Sequence, residues 1–262
     1  YFFNIKLCKI NEGKFYSEQW KLFPKIFNDK GIKLNWFHLF VKSSKVRNTI
    51  FASSYINILN RKNTNSEMHS LLEANINKII IFKVIKHFLK ILIFKRHNIK
   101  TCSEKFINDE HEYLWILFKR GWEKSNLGTI LVNNLFYIYF FEDLLKNAPQ
   151  QKIGFYLLEN KGWERALIFF WRKYNHGKLI GVQHSTLNFW FMSYFDNPKN
   201  SFKSSFNKLP KPDIIAINGQ HALQILKNAN QKNDLFRKSE AIRYQYLLEL
   251  KKRKKNIKVK NE

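Results

Sequence analysis

The stretch Lys152-Ile153-Gly154-Phe155-Tyr156-Leu157-Leu158-Glu159-Asn160-Lys161-Gly162-Trp163-Glu164-Arg165-Ala166-Leu167, running on to Lys178-Leu179-Ile180-Gly181-Val182-Gln183-His184-Ser185, decides the fold class. Its first seven residues are a short apolar run of strand length. Gly162 to Tyr174 sets Trp163, Leu167, Phe170 and Trp171 near helical spacing, and Asn175-His176-Gly177 ends that helix with a glycine just past it. Lys178 to Val182 reads as the next strand. Strand, helix and strand with short connections form a βαβ unit, which implies a parallel sheet.

Working outward, Asp213-Ile214-Ile215-Ala216-Ile217 adds a strand and His221 to Asn228 a helix. The expected class is α/β, a Rossmann-like open parallel sheet flanked by helices. Ligands of such sheets bind outside the carboxyl ends of the strands. Those ends are Glu159-Asn160, Gln183-His184-Ser185 and Asn218-Gly219. Glu159 and His184 are acid–base candidates, because burial and mutual charge can bring either pKa near neutrality. The alternatives stay open: Glu159 can cap the helix, and His184 and Ser185 can bond the loop backbone. Glu164 can serve as a second carboxylate, complement the helix dipole or pair with Arg165 on the helix surface. Gly219 and the helix start after it can hold an anion. Trp163 and Trp171 are core residues by spacing. Trp190 fits the core too, or a platform for a sugar ring.

Upstream, a helix is expected around Tyr16 to Phe27, then a turn at Asp29-Lys30-Gly31 and a strand from Ile32 to Phe40. Residues 61–66 form a polar loop. In Ile79 to Phe94, Lys83, Lys86, His87 and Lys90 share one helical face, so the segment does not have the ~20 mostly apolar residues of a bilayer span. It reads as a helix covering a core, or as a basic amphipathic helix on anionic lipid. Glu112 to Trp122 and Ile130 to Leu145 read as buried core helices. His38, His69, His111, His176 and His221 share no common spacing and read as structural or surface residues. These readings divide the chain into an α/β and helical portion, 1–148, and a Rossmann-like portion, 149–248. The remaining 249–262 is a basic tail or truncated linker.

Composition narrows the classes. Apolar residues make up 45% and aromatics 16% of the 262 residues, too much for a disordered chain. Cys8 and Cys102 are too few and too far apart for a disulfide framework or a zinc site, and fit thiols in a reducing compartment. Tyr1-Phe2-Phe3-Asn4 has no signal-peptide pattern and no initiator Met, so the chain is expected to begin inside a longer reading frame. The net charge of +26 points to anionic partners. Lys outnumbers Arg 37 to 9, however, whereas phosphate-reading surfaces favour the planar Arg fork, so nucleic acid is disfavoured.

The run Leu158-Glu159-Asn160-Lys161-Gly162-Trp163-Glu164-Arg165-Ala166-Leu167 resembles a signature of the family of surface carbohydrate biosynthesis proteins. Trp171 to Gly177, Gly181 to Thr186, Phe189-Trp190, Tyr194-Phe195, Leu209 to Asp213, Ala216 to Gly219 and Glu240-Ala241-Ile242-Arg243-Tyr244 follow in the family's order. Asn35-Trp36-Phe37-His38 and Trp122-Glu123-Lys124-Ser125 match more weakly. The family is similar to GT-B glycosyltransferases of the Kdo-transferase kind. That resemblance implies two Rossmann-like domains, acceptor on the amino-terminal side, and a CMP-type acidic sugar on the other. It implies no metal and no cofactor beyond the nucleotide-sugar. This chain would be the acceptor-side half, with the donor-binding domain absent or on a partner chain.

On this likeness Glu159 and His184 are catalytic, and Glu164, Gln183, Ser185, Trp190, Asn218, Gly219 and Arg243 bind substrate. The acceptor is a glycan or lipid-linked glycan, met in the cytoplasm at the inner face of the membrane. The alternative is a non-catalytic glycan-binding or partner-docking module whose donor domain lies on another chain.

Overall fold

The computed structural model describes residues 7–20, 23–62, 67–107, 112–183, 185, 209–228, 233–241, 244 and 247. Two short helices, α1 (Leu7–Asn11) and α2 (Phe23–Asn28), precede strand β1 (Leu34–His38). The helix expected from Tyr16 to Phe27 is therefore confined to α2. Pro24 fits the first turn of a helix but not its interior, so the helix cannot run through it from Tyr16. Gly31, at φ +67°, makes the expected turn. Helix α3 (Thr49–Lys62) then crosses over to β2 (Glu67–Leu71), which pairs in parallel with β1 in the register Trp36 to His69. Residues 63–66 of the expected polar loop lie outside the described residues.

A 3-10 turn (Leu72–Asn75) leads to three consecutive helices, α4 (Lys78–Ile107), α5 (Glu112–Leu127) and α6 (Thr129–Asn147). Helix α6 buries Leu135, Phe140, Phe141, Leu144 and Leu145, as a core helix should. Helix α5 does not. Trp115 and Trp122 are half-buried, their rings 6.0 Å apart, while Ile116, Leu117 and Phe118 are exposed. The expectation of two buried core helices therefore holds for α6 alone. For α4 the core-covering reading holds on one side, where Ile80 and Val84 are buried. Its polar stripe is split. Lys83 meets Glu142 at 3.1 Å and His87 meets the Tyr139 hydroxyl at 2.6 Å, both on α6, whereas Lys86 and Lys90 are exposed.

From here the βαβ reading holds nearly residue for residue. Strand β3 (Ile153–Leu158), helix α7 (Gly162–Lys173), strand β4 (Lys178–Gln183), strand β5 (Ile214–Asn218), helix α8 (Gly219–Asn228) and strand β6 (Phe236–Ser239) form a parallel sheet in the order β3-β4-β5-β6. The chain is α/β, with parallel sheets flanked by helices. Successive residues of β3 serve opposite faces. Tyr156 meets Trp163 of α7, and Phe155 meets Phe23 and Phe27 of α2. Asn35 Nδ2 donates to Gln151 Oε1 at 3.0 Å, bringing the start of the four-stranded sheet beside β1.

The larger hydrophobic cluster runs from Leu39 and Leu72 through Leu145 and Ile168 to Ile217 and Leu226. A smaller one joins Ile10, Val46, Ala52 and Leu59 on the far side of β2. Trp171 lies over Gly154, where any Cβ would strike its ring, and donates its indole N–H to the Gly177 carbonyl at 2.6 Å. The helix end differs from expectation in one residue. Asn175, not Gly177, takes the left-handed conformation, at φ 55°. Gly177 is needed because a Cβ there would overlap the Lys152 carbonyl at the start of the β3–β4 ladder.

Candidate functional site

A parallel strand ends with backbone groups and side chains that its sheet no longer uses, and here those ends are polar. After β3, Glu159-Asn160-Lys161 turns the chain into α7, with Asn160 left-handed at φ 59°. Glu164 folds back beneath this turn, only 2% exposed. Its Oε1 accepts the Glu159 and Lys161 amides, both at 2.9 Å. This is the carboxylate half of a capping box, since the ammonium of Lys161 has no acceptor to complete the other half. Burial pushes the Glu164 carboxyl up to about 7, although the two amides and Arg165 favour its charged form.

Glu164 is thus not paired on the helix surface, and Arg165 is engaged elsewhere, donating to the Pro210 carbonyl at 2.7 Å. Two turns on, Arg172 donates to the Lys211 carbonyl and meets Asp213 at 3.3 Å. Together they fasten the segment that enters β5. The Glu159 side chain is largely covered and its Oε2 lies 2.9 Å from Lys161 Nζ.

The ends of β4 and β5 are bracketed by two amides. Gln183, buried, accepts the Asn218 N–H at 2.9 Å and donates to the Ser185 carbonyl at 2.7 Å. Asn218 Nδ2 in turn donates to the Gln183 carbonyl at 2.7 Å. Gly219, at φ +83°, begins α8 directly after the strand. Asn218 is paired in register with Ser239 at the end of β6. Asn218 Oδ1 and Ser239 Oγ are both buried and lack hydrogen-bond partners among the described residues. Buried polar atoms of this kind are normally satisfied, so the two call for a donor or a hydroxyl. His184, Trp190 and Arg243 lie outside the described residues, as do Thr186, Phe189 and the basic run Lys251 to Lys260.

The structure adds residues to the β3 end that periodicity did not single out. Asn134 of α6 approaches Gly162 so closely that a Cβ there would come within 2.7 Å of its Oδ1. Tyr137, one turn further along α6, has its phenol pushed up by burial and by Glu73, with Lys161 pulling the other way. Glu73, in the 3-10 turn after β2, accepts the Phe40 amide at 3.0 Å, and burial pushes its carboxyl up. Glu73, Tyr137 and Lys161 therefore share one electrostatic neighbourhood. The only trace of it in the sequence is Asn133-Asn134 interrupting the apolar run of α6.

A second buried polar group lies on the other sheet. His38 Nε2 and His69 Nδ1 are 3.1 Å apart, stacked with Trp36, and His69 Nε2 is 3.7 Å from Glu67 Oε2. Glu67 also accepts the Trp36 indole at 2.9 Å and the Asn28 amide at 2.7 Å. Burial lowers the pKa of His38, with His69 adding to it, and lowers that of His69 to about 4. Sequence spacing did not show that these two histidines meet. His176 is structural: its Nδ1 accepts the Gln151 amide and its Nε2 donates to the Leu145 carbonyl.

Among the described residues no group of three or more His, Cys, Asp or Glu is placed to hold a metal, and no helix is long and apolar enough to cross a membrane. No family model, no curated protein and no solved structure matches the chain.

Proposed function

We propose that the chain is the acceptor-side half of a glycosyltransferase-like protein of surface polysaccharide or lipopolysaccharide synthesis. Its reading rests on the motif likeness together with one structural observation. Asn218 Oδ1 and Ser239 Oγ, on neighbouring strand ends of a parallel sheet, are buried and unpaired among the described residues. Sugar hydroxyls both donate and accept, and would satisfy each atom. Strand carboxyl ends are where open α/β sheets bind ligands.

In this reading Gln183, Ser185, Asn218 and Gly219 shape the acceptor subsite, joined by Trp190 and Arg243. Glu159 and His184 carry the acid–base work. Glu164 acts through Glu159 by holding its amide, as a positioning residue. The co-substrate is a CMP-linked acidic sugar bound by a GT-B-type second domain, and the acceptor is a lipid-linked glycan at the cytoplasmic face of the membrane.

The test is transfer of labelled acidic sugar from its CMP donor to membrane glycan by the full-length protein. Asn218→Ala with Ser239→Ala should raise the acceptor KM at least tenfold, and Glu159→Gln should lower kcat by two orders of magnitude or more. Full transfer by both variants overturns the assignment. A second reading is favoured by the Glu159–Lys161 ion pair, which engages the proposed catalytic carboxylate. There the chain only holds glycan, and Glu159→Gln leaves oligosaccharide binding unchanged while Asn218→Ala weakens it.

A further inference from the structure

Helix α4 has two apolar sides. Ile80 and Val84 enter the core, with Phe88 and Ile91 packed beside them. On the opposite side Phe82, Leu89 and Ile93 stand in one row, spaced seven and four residues apart, and Ile93 is 78% exposed. Helix α5 repeats the pattern. Trp115 and Trp122 are half-buried while Ile116, Leu117 and Phe118 are exposed, Leu117 at 73%. The two helices pack against each other and both pack on α6. Scattered exposed hydrophobics need no explanation, but rows of large aliphatic and aromatic side chains left exposed on two helices that pack together mark an interaction surface.

The charges around this surface select its partner. Lys86 and Lys90 on α4, and Arg120 and Lys124 on α5, are exposed beside it. From Lys78 to Phe94 the sequence contains no acid at all, and among the described side chains of α5 Glu123 is the one carboxylate. Lys83 is not counted, because Glu142 neutralises it. A two-fold contact between copies of the chain would press this cationic surface against itself. An anionic headgroup layer complements it and accepts the apolar row at the same time. Among the described residues neither helix is long and apolar enough to cross a membrane.

We infer that the α4–α5 hairpin lies flat on an anionic lipid surface. Phe82, Leu89, Ile93, Ile116, Leu117 and Phe118 enter the boundary between headgroups and acyl chains, and the four cations meet lipid phosphates. This inference does not depend on the transferase reading, and its test uses neither donor nor acceptor. In co-sedimentation, the full chain should bind vesicles of phosphatidylethanolamine with phosphatidylglycerol at least tenfold more tightly than vesicles of phosphatidylcholine. Leu89→Asp with Leu117→Asp should lower that binding more than tenfold. Lys86→Glu with Lys90→Glu should lower it several-fold and flatten its salt dependence. Both pairs should leave the thermal midpoint unchanged, because the altered side chains are exposed. Equal binding to both vesicle types, or full binding by the Leu89→Asp, Leu117→Asp variant, overturns the proposal. So does a dimer in sedimentation equilibrium that this variant dissolves while the wild-type chain ignores vesicles.

Discussion

The four-stranded sheet seals a carboxyl group at its β3–α7 turn, and the two-stranded sheet seals a pair of imidazoles between β1 and β2. In both, burial favours the neutral form, and the consequences for the fold run in opposite directions. Glu164 has its pKa raised to about 7 even though two backbone amides favour its charged form. His69 has its pKa lowered to about 4 by burial although Glu67 lies 3.7 Å away. In each place desolvation outweighs the favourable partner, as expected where water is excluded.

The pH dependence follows from the direction of each shift. Unfolding releases the Glu164 proton above its ordinary value of 4.5, so the stability it contributes is present below that pH and is lost as pH rises towards about 7. His69 in the unfolded chain takes up a proton below 6.5, so its contribution is present above that value and is lost as pH falls towards about 4. The two slopes oppose each other over most of the same interval.

The sharpest way to break this contrast is Glu164→Ala. It strands the amides of Glu159 and Lys161, and should cost about 3 kcal/mol in urea denaturation at pH 6. Glu164→Gln keeps an acceptor for both amides and removes the ionisation. Stability at pH 8 should rise by about 2 kcal/mol, with no gain at pH 4. A gain at both pH values would show that the carboxyl is not held protonated. His69→Phe tests the other sheet: it removes the buried His38–His69 hydrogen bond, costing about 1 kcal/mol at pH 8, and should flatten the loss of stability between pH 6.5 and 4. The smallest effect is at Asn160, whose left-handed backbone lets two amides converge on Glu164. Asn160→Ala should cost no more than about 1 kcal/mol, less than His69→Phe, and Asn160→Gly less again, read from the thermal midpoint.

The legible part of the fold is the part built from local pattern. From Ile153 to Asn228 each strand and helix among the described residues lies within two residues of its expected bounds, because short apolar runs and helical spacing agree with glycine and asparagine stops. Strand β6 was not legible. Phe236-Arg237-Lys238-Ser239 carries two exposed charges and is a strand only because β5 offers it an edge. The same holds for β2, whose Glu67-Met68-His69-Ser70-Leu71 shows weak alternation and finds its place beside β1.

The candidate site divides similarly. Glu159, Gln183 and Asn218 stand at strand ends that the pattern locates. The Gln183–Asn218 bracket, and the grouping of Glu73 and Tyr137 with Lys161, join residues that are distant in sequence.

Sequence alone determined the α/β class, the parallel βαβ unit and the polar character of its strand ends, because periodicity, apolar run length and turn residues act over neighbouring positions. Only the tertiary structure decided which of those polar groups are buried and what they bond. It sent Glu164 inward to the turn before it, joined His38 to His69, and left one side of α4 and α5 facing outward. Burial is set by the sum of all packing elements, and a helix with apolar residues on two sides carries no local signal saying which side the core will cover.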